Sequence, residues 1–214
     1  GGYLVGLLLG FLILVVTNAP SEGARMVVCD VGQGDAILII KGSNQVLIDG
    51  GPSSEKILTC LGKHLPFWDR AIELIVLTNT DYDHMNGLSA VIDRYEVIQF
   101  VTADGVHSGD ALNKLTDKLS NARIQVQAVE QGDRLVVGGQ KTNSELVFEV
   151  LWPPDTIEQN VAIFSNQMDQ SLREQILGAS AKRGNLNERS VVLLLLEGGK
   201  KILLTGDSGD QAEK

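Results

Sequence analysis

Basic residues are scarce: 18 Lys and Arg stand against 27 Asp and Glu in 214 residues, a net charge of −9. That balance argues against a general, charge-driven nucleic-acid binder, which carries a basic excess. The nearest thing to a basic strip, Lys182, Arg183, Arg189, Lys200 and Lys201, reads as a solvated face. Only two cysteines occur, Cys29 and Cys60, and neither belongs to a paired metal-ligand spacing. Cys29 closes the apolar run from Met26 and reads as a buried strand residue, while Cys60 falls in a helical stretch. Nothing in the sequence supports a disulfide between them, and neither has the context of a cysteine nucleophile. There is no Gly-x-Ser-x-Gly elbow and no Gly-rich phosphate loop followed by Lys, which removes the common serine-hydrolase and nucleotide-binding signatures. No internal repeat or low-complexity tract is present.

Charge is absent altogether from Gly1 to Pro20, and Tyr3 to Val16 is almost purely apolar. A stretch of this length nearly spans a bilayer. The chain opens Gly1-Gly2, without the Met and basic n-region of a signal peptide. Residues 1–18 therefore read as the remnant of a transmembrane helix whose start is missing, residues 19–24 as a breaker-rich linker, and residues 25–214 as one domain. No Lys or Arg precedes Arg25, which leaves the membrane side open.

Beyond the linker the pattern turns to strands. Short apolar or β-branched runs occupy Arg25–Cys29, Ala36–Ile40 and Gln45–Ile48, separated by glycine turns, and Ile72–Leu77 reads as a buried strand. Ser54–Leu61, Gly87–Tyr95 and Gly109–Ser120 have helical composition or spacing. Further strands are expected at Val97–Val101, Ile124–Ala128, Arg134–Val137 and Leu146–Leu151. The polar segment Pro153–Glu188 reads as an insertion or loop with a short helix near Leu172–Leu177. Ser190–Leu196 and Lys201–Leu204 form a closing hairpin across Gly198-Gly199, and Ser208–Lys214 starts a helix. A strand meander followed by alternating strands and helices implies sheets packed face to face with helices outside.

The chemistry concentrates in Thr78-Asn79-Thr80-Asp81-Tyr82-Asp83-His84, directly after the buried strand. Ligands favour such strand ends in layered α/β proteins. In an extended stretch Asp81 and Asp83 point to the same side, and two close carboxylates repel unless a cation sits among them. Carboxylate and imidazole suit Zn²⁺, Mn²⁺ or Fe. Taken alone, a capping loop and a metal site explain this cluster equally well. Asp30, Asp35, Asp49 and Asp207 also sit at strand ends or glycine turns, where each singly reads as a turn or cap. His64 lies at a helix end before Leu65-Pro66, and His107 in the polar loop Asp104–Ser108; for both, a surface or capping role is favoured over ligation.

Together these motifs resemble the metallo-β-lactamase-fold hydrolases. That family has a strand-end Asp followed by Gly, then a His-x-His-x-Asp-His loop, then a later strand-end Asp; Asp49-Gly50, Asn79–His84 and Asp207 match. The resemblance is closer to the C-terminal domain of ComEC-type competence (DNA-uptake) proteins. Asp30-Val31-Gly32-Gln33-Gly34-Asp35, the fit of Asp81, Asp83 and His84 to that group's His-x-Asp-x-Asp-His loop, Leu65-Pro66-Phe67, Asn187 with Ser190, and Leu204-Thr205-Gly206-Asp207 carry it. The resemblance implies an αββα sandwich with a divalent metal, Zn or Mn, at one sheet edge. It implies Asp81, Asp83, His84 and Asp207 as ligands, Asp83 as catalytic, and Asp49, Asn79, Asp30 and Asp35 as supporting residues behind them. The implied activity is metal-dependent phosphodiester hydrolysis by a nuclease on single-stranded DNA during uptake, with a membrane location and other competence proteins as partners. Two departures are specific to this chain. Asn79 stands where the family's first His belongs, and the chain stops soon after Asp207, before the family's next His motif. The alternative reading is therefore a degenerate domain with a structural or DNA-channel role; a third is another hydrolase of the same fold acting on a small ester or lactam.

Overall fold

A computed structural model of the chain describes residues 2–17, 23–103, 110–139, 144–153 and 189–209. Five helices and ten strands lie within them: α1 (Gly2–Thr17), β1 (Arg25–Val28), β2 (Ile37–Lys41), β3 (Asn44–Ile48), α2 (Ser54–His64), β4 (Ala71–Leu77), α3 (Tyr82–Met85), α4 (Leu88–Arg94), β5 (Glu96–Ala103), α5 (Asp110–Asn121), β6 (Gln125–Val129), β7 (Arg134–Val137), β8 (Leu146–Trp152), β9 (Val192–Glu197) and β10 (Lys200–Leu204).

The strands form a six-stranded sheet in the order β1-β2-β3-β4-β5-β6 and a four-stranded sheet in the order β10-β9-β8-β7. The first is mixed. β1–β2 and β2–β3 pair antiparallel, while β3–β4, β4–β5 and β5–β6 pair parallel, with α2, α4 and α5 in or beside the crossovers. A parallel strand needs such a crossover and is covered on both faces, which is why β4 is a nearly continuous apolar run. The second sheet is wholly antiparallel. It alternates instead: Leu135 and Val137 point inward, and Val136 between them is exposed.

Two cores result. Ile39, Val46, Ile48, Leu74, Val76 and Val101 of the first sheet meet Leu135, Phe148, Val150, Leu193 and Leu195 of the second. On the other face of the first sheet, Leu38, Leu47, Ile75 and Phe100 are covered by Ile57 and Leu61 of α2, Leu88 and Val91 of α4, and Leu112, Leu115 and Leu119 of α5. The i, i+3 and i+4 spacing of these residues gives each helix one apolar stripe. Ser53 caps α2, its side chain accepting from the Lys56 N–H at 3.3 Å. The layering among the described residues is helix, sheet, sheet; no helix among them covers the outer face of the second sheet.

Two expectations are corrected. Cys29 and Cys60 are joined by a disulfide, with Cα atoms 5.8 Å apart, that ties the end of β1 to α2. The bond depends on two backbones meeting across the outer face of the first sheet, which cysteine spacing does not encode. The loop after β4 is not extended either. Asp81 is the N-cap of α3 and Asp83 lies inside it, so the two carboxylates do not share a side as alternate residues of a strand would.

The apolar start forms α1, a helix of 16 residues whose Tyr3, Leu4, Val5, Leu7 and Leu9 are exposed. No helix among the described residues is long and apolar enough to cross a membrane. His107, Lys182, Arg183, Asn187, the helix expected near Leu172–Leu177, and parts of the 19–24 linker and of Ser208–Lys214 lie outside the described residues.

Candidate metal centre

β3 and β4 run parallel in the register Ile48↔Val76, so their C-terminal ends emerge side by side at one sheet edge. Asp49 follows β3 there. Its backbone turns with a φ of 58°, a conformation Asp tolerates better than most L-residues, while its N–H still donates to the Val76 carbonyl at 2.9 Å. The carboxylate is buried and fully engaged. Oδ1 accepts from the Thr78 N–H at 2.8 Å, and Oδ2 accepts from Thr78 Oγ1 at 2.6 Å and lies 2.9 Å from His84 Nδ1.

His84 is delivered by α3, whose single turn is stitched to the turn after β3. Gly50 N–H donates to the His84 carbonyl at 2.7 Å, Gly87 N–H to the Gly51 carbonyl at 2.8 Å, and Asn86 Nδ2 to the Pro52 carbonyl at 2.7 Å. The imidazole is thereby fixed with Nδ1 against Asp49 and Nε2 facing outward, and its side chain is only 1% exposed.

Asp207 arrives from the other sheet. Val191 N–H donates to the Thr78 carbonyl at 2.9 Å, which joins the start of β9 to the end of β4. Ser190 is buried there, and its Oγ accepts from the Asp207 N–H at 3.3 Å. Gly206, with a φ of 50°, makes the approach: a Cβ at that position would lie 2.8 Å from Ser190 Oγ and 3.0 Å from Thr78 Cβ. Asp207 Oδ2 consequently sits 3.1 Å from His84 Nε2, with its side chain 43% exposed.

The three side chains form a line, Asp49–His84–Asp207, running from a buried end to an open one. Burial alone would lower the His84 pKa, but Asp49 and then Asp207 outweigh it, and the imidazole is pushed up to about 9. Burial pushes Asp49 upward, against the hydrogen bonds from His84 and Thr78 that favour its anion. Three donors converge on that carboxylate, so the arrangement serves the Asp49 anion and a cation on or beside His84.

The outer end is where a metal fits. His84 Nε2 is buried, with Asp207 Oδ2 3.1 Å away as its charged neighbour. An imidazole held through Nδ1 by a carboxylate, with its other nitrogen facing a second carboxylate, has the donor chemistry of a Zn²⁺ or Mn²⁺ ligand pair. Among the described residues, no group of three or more His, Cys, Asp or Glu converges as a metal cluster. Asp81 and Asp83, both half-buried, stand on the same α3 turn without joining the pair. Asn79 is buried beside them. Its Oδ1 accepts from the Asp81 N–H at 2.8 Å, and its Nδ2 has no partner.

Asp30 is exposed and Asp35 half-buried on the loop between β1 and β2. That loop is closed at its base by Cys29 N–H donating to the Ala36 carbonyl at 2.9 Å, and it lies against α3. Gly34, at a φ of 114°, touches the Asp83 backbone so closely that a Cβ there would collide with the Asp83 carbonyl. Thr78 does not stand out in the sequence as a site residue. The only signal for it is a hydroxyl residue immediately after a buried strand, a position shared by many ordinary caps.

No family model matches the chain. It is 29% identical over 107 residues to Recombination protein 2 of Haemophilus influenzae, a match covering 49% of this chain and 14% of that protein. Among solved structures it is similar to the metallo-β-lactamase fold protein YhfI of Bacillus subtilis, with a TM-score of 0.50 and 14% identity, covering 86% of this chain and 62% of that one. It is also similar to MEM-A1, a subclass B3 metallo-β-lactamase from a soil metagenome library, with a TM-score of 0.44 and 16% identity, covering 87% of this chain and 62% of that one. The chain thus spans less than two thirds of the length of each of these. The mixed and antiparallel sheets packed face to face are those of the metallo-β-lactamase fold, and the Recombination protein 2 match supports a domain of ComEC type.

Proposed function

We propose that this chain belongs to a membrane-attached, metal-dependent phosphodiesterase that acts as a nuclease on single-stranded DNA during uptake. The observation that carries the reading is the line Asp49–His84–Asp207, in which the buried Nε2 faces the half-exposed Asp207 carboxylate at 3.1 Å. In it, His84 and Asp207 hold a divalent cation, Zn²⁺ or Mn²⁺, and Asp49 fixes the imidazole through Nδ1. Thr78 braces Asp49 with two hydrogen bonds, so the carboxylate cannot swing away when Nε2 gives up its proton. Asp81 and Asp83 stand beside the pair on α3 and would be the further ligands of such a cation; Asp83 is the residue we assign to catalysis. When bound, the cation lowers the pKa of a water molecule and offsets the charge of the phosphodiester. DNA as substrate, the cell membrane as location and other competence proteins as partners are supported by the likeness to Recombination protein 2 and by the apolar α1.

The test is cleavage of single-stranded DNA by the full-length protein with Mn²⁺ or Zn²⁺. Activity that disappears in Asp83→Ala is the expected result, and an unchanged rate in that variant overturns the assignment. A second reading, a degenerate domain that lines a DNA path, is favoured by Asn79, whose amide oxygen is already taken by the Asp81 N–H. Wild-type protein that neither cleaves DNA nor retains metal would select it.

A further inference from the structure

The turn that follows α2 carries two aromatic rings into solvent. Asp69 N–H donates to the Pro66 carbonyl at 3.1 Å, which closes a four-residue turn with Phe67 and Trp68 at its tip. Phe67 is 79% exposed and Trp68 54% exposed. The rings pack against one another edge to face, with centroids 4.7 Å apart. Nothing in the packing of the domain requires this. Turn tips favour Gly, Asn, Asp and Ser, and a large exposed apolar pair is informative where a lone exposed Leu is not.

The surroundings say what the pair fits. Lys63, Arg70 and Arg25 are exposed close by, and Arg25 Nη2 donates to the His64 carbonyl at 2.8 Å, pinning the start of β1 to the end of α2. The one neighbouring carboxylate on the turn, Asp69, is directed at the Ala71 N–H at 3.3 Å. Basic side chains beside Trp and Phe are the chemistry of an interfacial membrane contact, in which the rings enter the headgroup region and the cations meet anionic lipid. The same corner is tethered to α1. Thr17, the last residue of that uncharged helix, precedes Arg25 by eight residues. Eight extended residues reach at most about 28 Å. The exposed apolar residues of α1 and the aromatic turn can therefore meet one surface.

We propose that the Phe67–Trp68 turn is a membrane-interface contact that, with α1, seats the domain on a bilayer containing anionic lipid. It rests on the membrane attachment proposed above and is independent of the metal chemistry. A basic, aromatic surface also suits stacking with single-stranded nucleic acid; the tether to the uncharged, apolar α1 favours lipid.

The experiment uses the full-length protein with vesicles of equimolar phosphatidylcholine and phosphatidylglycerol whose acyl chains carry bromine. The difference between wild-type and Trp68→Phe emission isolates Trp68. The proposal expects a blue shift of that difference emission when unbrominated vesicles are added, its loss with brominated vesicles, and weaker flotation of Phe67→Ser/Trp68→Ser than of wild type. Protein that floats with the vesicles while Trp68 stays unquenched overturns the turn contact but leaves membrane attachment standing. Protein that does not float overturns both. Trp68 quenched by oligothymidylate and not by brominated lipid overturns the membrane contact in favour of nucleic-acid stacking.

Discussion

Reducing the Cys29–Cys60 bond removes a link between residues separated by 31 positions. In the chain-entropy treatment, a closed loop of this size restricts the unfolded ensemble by about 3.7 kcal/mol at 25 °C. Little offsets this in the folded state, because Cys29 is 5% exposed and behaves as a small hydrophobe once reduced, while Cys60 is half-buried on α2. For a protein of this size, such a loss lowers the melting temperature by roughly 7–15 °C. The effect has a local part as well. Cys29 anchors the base of the Asp30–Asp35 loop through its N–H to the Ala36 carbonyl, and Gly34 of that loop rests on Asp83. The assay is thermal unfolding followed by circular dichroism, for wild type with and without dithiothreitol and for Cys60→Ser without it. Reduced wild type and Cys60→Ser should melt together, well below oxidised wild type. Two titratable thiols in unfolded, unreduced wild-type protein, or three coincident melting curves, would refute the reasoning.

Asp49→Asn keeps a residue that tolerates the left-handed backbone while removing the charge and one of the two acceptor oxygens behind His84; metal affinity by isothermal titration should fall about 10- to 100-fold with an unchanged circular dichroism spectrum. In metal-free protein the raised His84 pKa sets a pH dependence. The group's folded-state value lies above its unfolded one, so its contribution is complete below pH 6.5 and is lost as pH rises through about 9; the melting temperature should drop across that window and the drop should be absent in His84→Gln. Gly34→Ala forces both an unfavourable φ and a collision with the Asp83 carbonyl, and urea denaturation should show a loss of about 1–3 kcal/mol.

How much was legible in the sequence depended on how local the cause was. β4 and β7 stood out because burial on two faces or one leaves a continuous or an alternating apolar pattern, and α5 because Leu112, Leu115 and Leu119 recur at helical spacing. α3 was not legible. One turn of Tyr82-Asp83-His84-Met85 carries no period, and the Gly50 N–H to His84 carbonyl bond that ties it down comes from a distant segment. The strand-end acids Asp49 and Asp207 were visible as candidates. Their convergence on His84 was not, because it follows from two sheets facing one another and from Thr78 and Ser190 joining the sheet edges. The disulfide failed for the same reason: Cys29 and Cys60 meet only once α2 has packed on the first sheet.

The central claim is that the open end of Asp49–His84–Asp207 holds a divalent cation. Elemental analysis of the full-length protein, loaded with Mn²⁺ or Zn²⁺ at neutral pH and then dialysed, tests it most directly. Stoichiometric metal in wild type that is lost in both His84→Ala and Asp207→Asn, with the fold of each variant intact by circular dichroism, is the predicted result. Wild-type protein that emerges without metal, or a His84→Ala variant that keeps its full complement, would contradict it.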